Sequence, residues 1–291
     1  MLVRLVDDAA VFPPGNAPLP DALSAHRKHR SSWYADLVGP LLVKSAELSD
    51  LVDQTDPMEL LGVGLIADGG VAGVDQALGQ LPRSGHVLVR QVEVAVAKRG
   101  EDPLPGLSEL IEAAARWRQD RSEPPDVYAE IPLTWGCVEA LNRLETWGGG
   151  VMPKFRTGGL AAELFPTPDE LASVMVACAE RGLRFKLTAG LHHAVRHLDR
   201  STGFTHHGFL NILAASVVAE RGEIVPTVAG VLAETEPAPL VALMHPWLDA
   251  ERPLWIGYGS CSIDEPLHDL LALGLLEPGP LEPGPDSKES S

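Results

Sequence analysis

The chain has 291 residues, of which 45% are hydrophobic, and it carries a formal net charge of −17. This composition is typical of a globular protein with a sizeable core. The acidic balance argues against a nucleic-acid partner, because binding to phosphates needs a basic surface. Apolar runs such as Val89 to Ala97 are interrupted by charge and too short to span a bilayer, and the N-terminus lacks the pattern of a signal peptide. We therefore expect a cytoplasmic protein that does not contact membranes.

Segments with the composition of strands alternate with helical segments along most of the chain. The first predicted strand, Leu2 to Val6, ends at Asp7 and Asp8, and a Pro/Gly loop separates it from a helix at Leu19 to Arg30. The other predicted strands are Leu37–Val43, Leu61–Ala67, His86–Ala97, Asp126–Leu133, Val151–Arg156, Leu183–Thr188 and Leu254–Tyr258. The other predicted helices are Ser49–Leu60, Val71–Leu81, Leu107–Gln119, Trp135–Trp147, Asp169–Arg181, Gly208–Arg221, Ala238–Met244 and Asp264–Leu275.

Strands that alternate with helices predict a parallel sheet, and eight such units in roughly 250 residues are the size of a (β/α)8 barrel. An open doubly wound sheet is the competing architecture, but no glycine-rich turn follows the first strand. We predict a single (β/α)8 TIM barrel over residues 1–276, with a histidine-rich insertion, His192 to His207, between the last two strands. Residues 277–291 are rich in Pro, Gly and Glu and are predicted to form a disordered tail.

Two neighbouring predicted strands each carry a lysine inside an apolar run. Alternation along a strand places Lys154 and Arg156 on one face, and it places Lys186 and Thr188 together on the next strand. Glu130 lies one strand away. The active site of such a barrel lies at the carboxyl ends of its strands, so we expect these side chains to form one cluster there.

This cluster predicts a specific chemistry. A lysine beside a second cation in a partly apolar site has a lowered pKa, so it can form a Schiff base with a carbonyl substrate. Glu130 could then move protons at the neighbouring carbon. Glycines in the last loops allow the backbone to approach an anion closely, and we expect substrate contacts at Gly158, Gly159, Gly190 and Gly259.

A family resemblance points to related chemistry. The segment Lys154–Gly159 (KFRTGG) resembles the Lys-Thr-Ser-Thr-Gly strand of class I aldolases of the deoxyribose-phosphate aldolase type. Phe185–Gly190 is similar to that family's next strand, and Trp255–Ser260 to its final phosphate loop. The resemblance implies a barrel lyase in which Lys154 forms the Schiff base, Lys186 lowers its pKa, and Gly190, Gly259 and Ser260 contact phosphate. Arg156 stands where the family has a small residue, which favours a carboxylate or a more acidic substrate.

The histidines offer a second hypothesis. Five of the ten histidines lie between His192 and His207, directly after the seventh strand. With Asp199 they could bind a divalent metal that activates water in a hydrolase or lyase, although their spacing matches no standard motif. His192 is the best single candidate for a substrate contact, because it lies nearest the strand end.

The leading prediction is an aldolase-like lyase without a cofactor, which acts on a small anionic carbonyl compound bound through Arg156. Two alternatives make no use of catalysis. Either lysine could simply form a salt bridge inside the barrel, for instance with Glu130 or Glu93. The barrel could also be a non-catalytic protein that binds an anion through Arg156 and the glycine loops. A homo-oligomer is possible in each case.

Overall fold

The computed structural model describes residues 1–81 and 85–279, and its central feature is a closed barrel of eight parallel strands. In chain order the strands are β1 (Val6–Asp8), β2 (Val38–Lys44), β3 (Leu61–Ile66), β4 (Val87–Ala95), β5 (Asp126–Glu130), β6 (Val151–Arg156), β7 (Phe185–Thr188), β8 (His197–Leu198), β9 (Thr205–His206) and β10 (Trp255–Ser260). The short strands β8 and β9 form a separate antiparallel hairpin, and β10 closes the barrel between β7 and β1. The predicted (β/α)8 barrel is confirmed.

Helices follow the barrel strands and pack around them. They are α1 (Leu19–Ser31), α2 (Leu48–Asp53), α3 (Gly70–Gly79), α4 (Pro103–Asp120), α5 (Cys137–Trp147), α6 (Pro168–Glu180), α7 (Phe209–Glu220), α8 (Val225–Ala233), α9 (Pro237–Met244) and α10 (Asp264–Ala272). Helix α7 is buried almost all round because it packs against α6, α8, α9 and β10.

Within residues 1–81 and 85–279, no helix has the length and apolar character needed to cross a membrane.

Most predicted elements lie where the sequence places them, and the differences have local causes. Strand β1 starts later than predicted and includes Asp7 and Asp8, which pair with β10 in register. Helix α2 ends at Asp53, before Pro57. Helix α8 was not predicted, because its sequence is apolar throughout and lacks the polar face that marks a helix in sequence. The predicted disordered tail lies outside the described residues from position 280 onward.

Alternation along β6 and β7 produces the two faces that the sequence predicts. Phe155 and Phe185 are fully buried on the outer face, where their ring centroids lie 6.1 Å apart beneath the helices. Lys154 and Lys186 occupy the opposite face and are direct partners in the parallel register. Both lysines therefore point into the barrel interior at the same height.

Arg252 ties together the amino-terminal end of the barrel. Its guanidinium donates to the carbonyls of Trp255 (2.8 Å) and Val3 (3.1 Å), and also to those of Met1 and Ile256. Burial is the main reason that its pKa is lowered to about 10.

We expect Arg252→Met to lower the free energy of unfolding by about 2–3 kcal/mol, because several half-buried carbonyls lose a charged donor at once. Arg252→Lys keeps the charge but not the planar fork of donors, so its free energy of unfolding should lie between those of the wild type and Arg252→Met. Urea unfolding of the three proteins measures the effect. A methionine variant as stable as the wild type would contradict this role.

Candidate active site

The barrel interior holds an unbroken row of alternating charges, which we call the charge row. It passes from β1 to β7, β4, β6, β5 and back to β6, and its members are Asp7, Lys186, Glu93, Lys154, Glu130 and Arg156. Three carboxylates and three cations make the row neutral overall. Barrel interiors are normally filled by layers of apolar side chains, so this one is exceptional in its chemistry.

Glu93 lies between the two lysines. One of its oxygens, Oε2, is 2.6 Å from Lys154 Nζ, and the other, Oε1, is 2.6 Å from Lys186 Nζ. Each lysine also has a carboxylate of its own: Glu130 Oε2 is 2.8 Å from Lys154 Nζ, and Asp7 contacts Lys186. The salt bridges that the sequence raised as an alternative are therefore present.

The carboxylates reverse the pKa shift that the sequence led us to expect for Lys154. Burial alone would lower the pKa of this ammonium, but the charges and hydrogen bonds of Glu130 and Glu93 outweigh burial and raise it. The pKa of Lys186 is raised in the same way by Asp7 and Glu93. The net shift of the Lys154 pKa is therefore upward although Lys186 is its register partner, and Glu93 contacts both ammonium groups.

Glu93 shows the opposite shift. Burial would raise the pKa of its carboxyl, but Lys154 and Lys186 together lower it to about 2. Asp7 differs, because burial and the nearby Glu93 raise its pKa despite its contact with Lys186. The amide of Gln91 donates to both carboxylates, at 2.7 Å to Asp7 and 3.1 Å to Glu93. Gln91 thus holds two like charges in place around Lys186.

Stability alone does not explain the row. Taking charges out of water is costly, and well-packed apolar side chains of similar volume often stabilise a core as well or better. Strongly perturbed ionisable groups beside a cavity are more typical of functional sites. The row reaches such a cavity at its Glu130–Arg156 end.

That cavity, which we call the mouth cavity, opens at the carboxyl end of β4, β5 and β6. Its volume is about 330 Å³, and Glu130 and Arg156 lie in its wall together with Lys98, Arg99 and Phe165. The Arg156 side chain is 42% exposed, whereas that of Lys154 is only 4% exposed. Because Glu130 contacts both, Lys154 lies one hydrogen bond behind the cavity wall.

The glycines that the sequence assigned to substrate contacts have packing partners of their own. A side chain at Gly158 would meet the backbone of Gly190 at 2.7 Å, so the loops after β6 and β7 touch backbone to backbone. The Thr157 hydroxyl fixes this contact by donating to the carbonyl of Ala189 at 2.6 Å. Thr188, the last residue of β7, accepts from the Thr157 amide at 2.9 Å.

The remaining glycines and Ser260 also have neighbours. A side chain at Gly159 would meet Leu164 at 2.4 Å, and one at Gly259 would meet Leu42 at 3.0 Å. The Ser260 hydroxyl donates to the Ser262 carbonyl at 2.7 Å. Packing thus accounts for these positions, and their role as substrate contacts stays a prediction.

The side chains of His192, His193 and His206 in the insertion have partners outside the charge row. His192 pairs with Glu265 at 2.9 Å and His193 with Asp269 at 3.2 Å, both on α10. The His206 Nδ1 lies 3.1 Å from the Gly190 carbonyl. Across residues 1–81 and 85–279, no three His, Cys, Asp or Glu side chains are grouped as a metal site would require.

The hairpin instead supports the wall of the mouth cavity. The rings of Phe204 and His206 each lie 4.8 Å from that of Phe165, measured between centroids. His207 is buried, which lowers its pKa to about 4, and its Nε2 lies 2.8 Å from the carbonyl of Pro166. A neutral imidazole that donates here fixes the loop carrying Phe165.

Three polar residues of the site carried only a weak sequence signal. Asp7 and Glu93 stood among several acidic residues near predicted strand ends, and Gln91 carried no signal at all. All three alternate inward on their strands: Asp7 lies opposite Val6 and Asp8 on β1, and Gln91 and Glu93 lie opposite Val92 and Val94 on β4. Only the closed barrel shows that Asp7 and Glu93 meet the lysines and that Gln91 bonds to both carboxylates.

A scan against models of protein families finds no match, and a search of curated proteins finds none either.

Proposed function

We propose that the protein is an enzyme that acts on a small anionic carbonyl compound in the mouth cavity, with Lys154 forming a Schiff base in a lyase reaction. The observation that carries this proposal is the contact of Lys154 with Glu130, which is itself exposed to the cavity beside Arg156. A nucleophile, a proton acceptor and an anion-binding group are thus adjacent. The resemblance of β6 and β7 to class I aldolases supports the same chemistry.

Binding is assigned to Arg156. Its Nε and one terminal nitrogen both contact the same Glu130 oxygen, each at 3.0 Å, and its side chain remains partly open to the cavity. A carboxylate of the substrate would pair with the exposed edge of this guanidinium. The cavity volume of about 330 Å³ is at the small end of the roughly 300–1,000 Å³ range of small-molecule sites, so it fits a compound of a few carbons.

Proton transfer is assigned to Glu130. In the resting state Lys154 is an ammonium, so it must give a proton to Glu130 or Glu93 before its nitrogen can attack the carbonyl carbon. A carbinolamine forms, with a proton passing from nitrogen to the former carbonyl oxygen. Glu130 then returns a proton to that oxygen, water leaves, and an iminium remains that can accept the electron pair of a breaking carbon–carbon bond.

Reduction with borohydride in the presence of glyoxylate, pyruvate, oxaloacetate or glyceraldehyde tests the proposal. We expect a mass increase on the peptide that contains Lys154, and no increase in the Lys154→Met variant. This variant should fold, because Glu93 still forms an ion pair with Lys186, and Glu130 still forms one with Arg156. Lys44→Met is the matched control, since Lys44 is a half-exposed lysine at the end of β2 that pairs with Glu47.

Two results would overturn the Schiff base. One is the absence of an adduct with every compound in the panel. The other is an adduct that persists in Lys154→Met. If small anions still raise the melting temperature and Arg156→Ala abolishes that effect, the protein would instead be a non-catalytic anion binder.

A further inference from the structure

A second pair of cations faces the mouth cavity from another loop. Lys98 and Arg99 lie in the loop after β4, are exposed, and belong to the cavity wall with Arg156 from β6. Three basic side chains, two on a loop and one on a strand, therefore line one small space. The wall also holds the carboxylates of Glu130, Glu163 and Glu170, so its cations are free to bind an anion only where no carboxylate pairs with them.

The loop that carries these two residues is held in a defined shape. The Lys98 amide donates to the Glu101 carboxylate at 2.9 Å, and the Glu101 amide donates back to the Lys98 carbonyl at 3.0 Å. Gly100 has a φ of 86°, which a residue with a side chain rarely adopts, and its carbonyl accepts from the Trp135 indole at 3.0 Å. The cations are therefore presented by a fixed turn.

Neither cation is neutralised by a close partner. Within the part of the chain that the structure describes, no carboxylate forms an ion pair with the side chain of Lys98 or Arg99. Other exposed basic residues do pair, such as Arg27 with Glu59 at 2.6 Å. Glu170 is close enough for Arg99 to contribute to its lowered pKa, but this carboxylate is already bonded to Thr167 at the start of α6.

Apart from the charged side chains, the cavity wall is mainly apolar. Ile131, Leu133 and Phe165 lie in it, along with Leu164 and two prolines. An apolar wall that also carries cations from two different elements matches a short carbon chain with two anionic groups. Glu163, also in the wall, is the one further carboxylate besides Glu130 and Glu170.

We infer that the substrate carries two anionic groups, one bound by Arg156 next to the reacting carbonyl and the other bound by Lys98 and Arg99. This inference rests on the proposed function for the position of the carbonyl, but not for the binding of the two anions. The remote group is a carboxylate or a phosphate, because both accept several charge-assisted hydrogen bonds.

Binding of carboxylates that have no aldehyde or ketone group tests the inference separately from catalysis, because they cannot form a Schiff base. Succinate and butyrate have the same number of carbons, but only succinate has a second carboxylate. Phosphonoacetate and malonate differ in that one carboxylate of malonate is replaced by a phosphonate. By calorimetry and thermal shift, we expect succinate to bind the wild type about tenfold tighter than butyrate. The double variant K98A/R99A should lose this preference while its affinity for butyrate stays unchanged.

The double variant K28A/R143A is the control, because it removes the same net charge from exposed sites outside the cavity. Equal affinity of the wild type for succinate and butyrate would overturn the inference. So would an equal loss of preference in both double variants, since that would reflect overall charge. An absence of borohydride adducts, with the preference intact, would remove the Schiff base but leave the dianion site standing.

Discussion

Glu93→Leu is expected to lower the free energy of unfolding by about 3–5 kcal/mol, the largest effect that we predict for a single substitution. The physical reason is that this one carboxylate bonds both lysines, at 2.6 Å each, in a buried interior. Leucine would leave two ammonium groups facing each other with less than their full set of partners. Urea unfolding at neutral pH measures the loss.

A surface carboxylate supplies the matched control. Glu123 pairs with Arg90 at 2.9 Å but is 71% exposed, so Glu123→Leu should change stability by less than about 1 kcal/mol. Adding Lys154→Met to Glu93→Leu should recover part of the loss, because the remaining members of the row then form two neutral pairs, Asp7 with Lys186 and Glu130 with Arg156. A Glu93→Leu protein as stable as the wild type would show that the charge row does not need its central member.

The free energy of unfolding should also depend on pH at values below the ordinary pKa of a glutamate. Glu93 has its pKa lowered to about 2 from an ordinary value of 4.5, so the folded state binds its proton later than the unfolded state does. Its stabilising contribution, about 3 kcal/mol, is therefore complete above pH 4.5 and is lost as the pH falls towards 2. The lowered pKa of Glu130 adds to this loss, whereas the raised pKa of Asp7 opposes it.

Glu93→Gln isolates the contribution of one carboxyl. We expect the difference in unfolding free energy between the wild type and this variant to be largest at neutral pH and to narrow between pH 4.5 and 2. Acidic groups outside the charge row titrate in both proteins and cancel in the difference. If the difference in unfolding free energy stays constant between pH 4.5 and 2, the lysines do not hold the Glu93 carboxyl ionised.

Local rules were enough for much of the fold and for half of the charge row. Alternation placed Lys154 and Arg156 on one face, and both contact Glu130 as neighbouring strands require. The start of α6 was legible because Thr167 and Glu170 cap it reciprocally and Pro168 occupies its first position. These features depend on residues that are close in sequence or on adjacent strands.

The rest depends on how the barrel closes. The pairing of β3 with β4 is irregular: Val63 pairs with Val89, but the next residue, Gly64, pairs with Gln91. Arg90 therefore has no partner on β3, and from this point Gln91 and Glu93 face inward. Simple counting along β4 cannot locate this irregularity. Asp7 meets Lys186 only because the barrel closes, with the single strand β10 between β1 and β7. The pKa of Lys154 is raised by Glu130, which the sequence placed beside it, and by Glu93, which it did not, so the expected lowering was wrong.

The continuity of the charge row gives the buried half of the site a second use. Lys186 and Asp7 have no place in the cavity wall, yet they join Lys154 through Glu93 without a gap. Groups coupled this closely titrate as one unit, so a change of charge on Lys154 also affects Glu93 and Lys186. If Lys154 gives up its proton as proposed, Lys186 still pairs with Glu93 and keeps that carboxylate compensated. The buried half of the row then keeps the interior charges paired while the other half reacts.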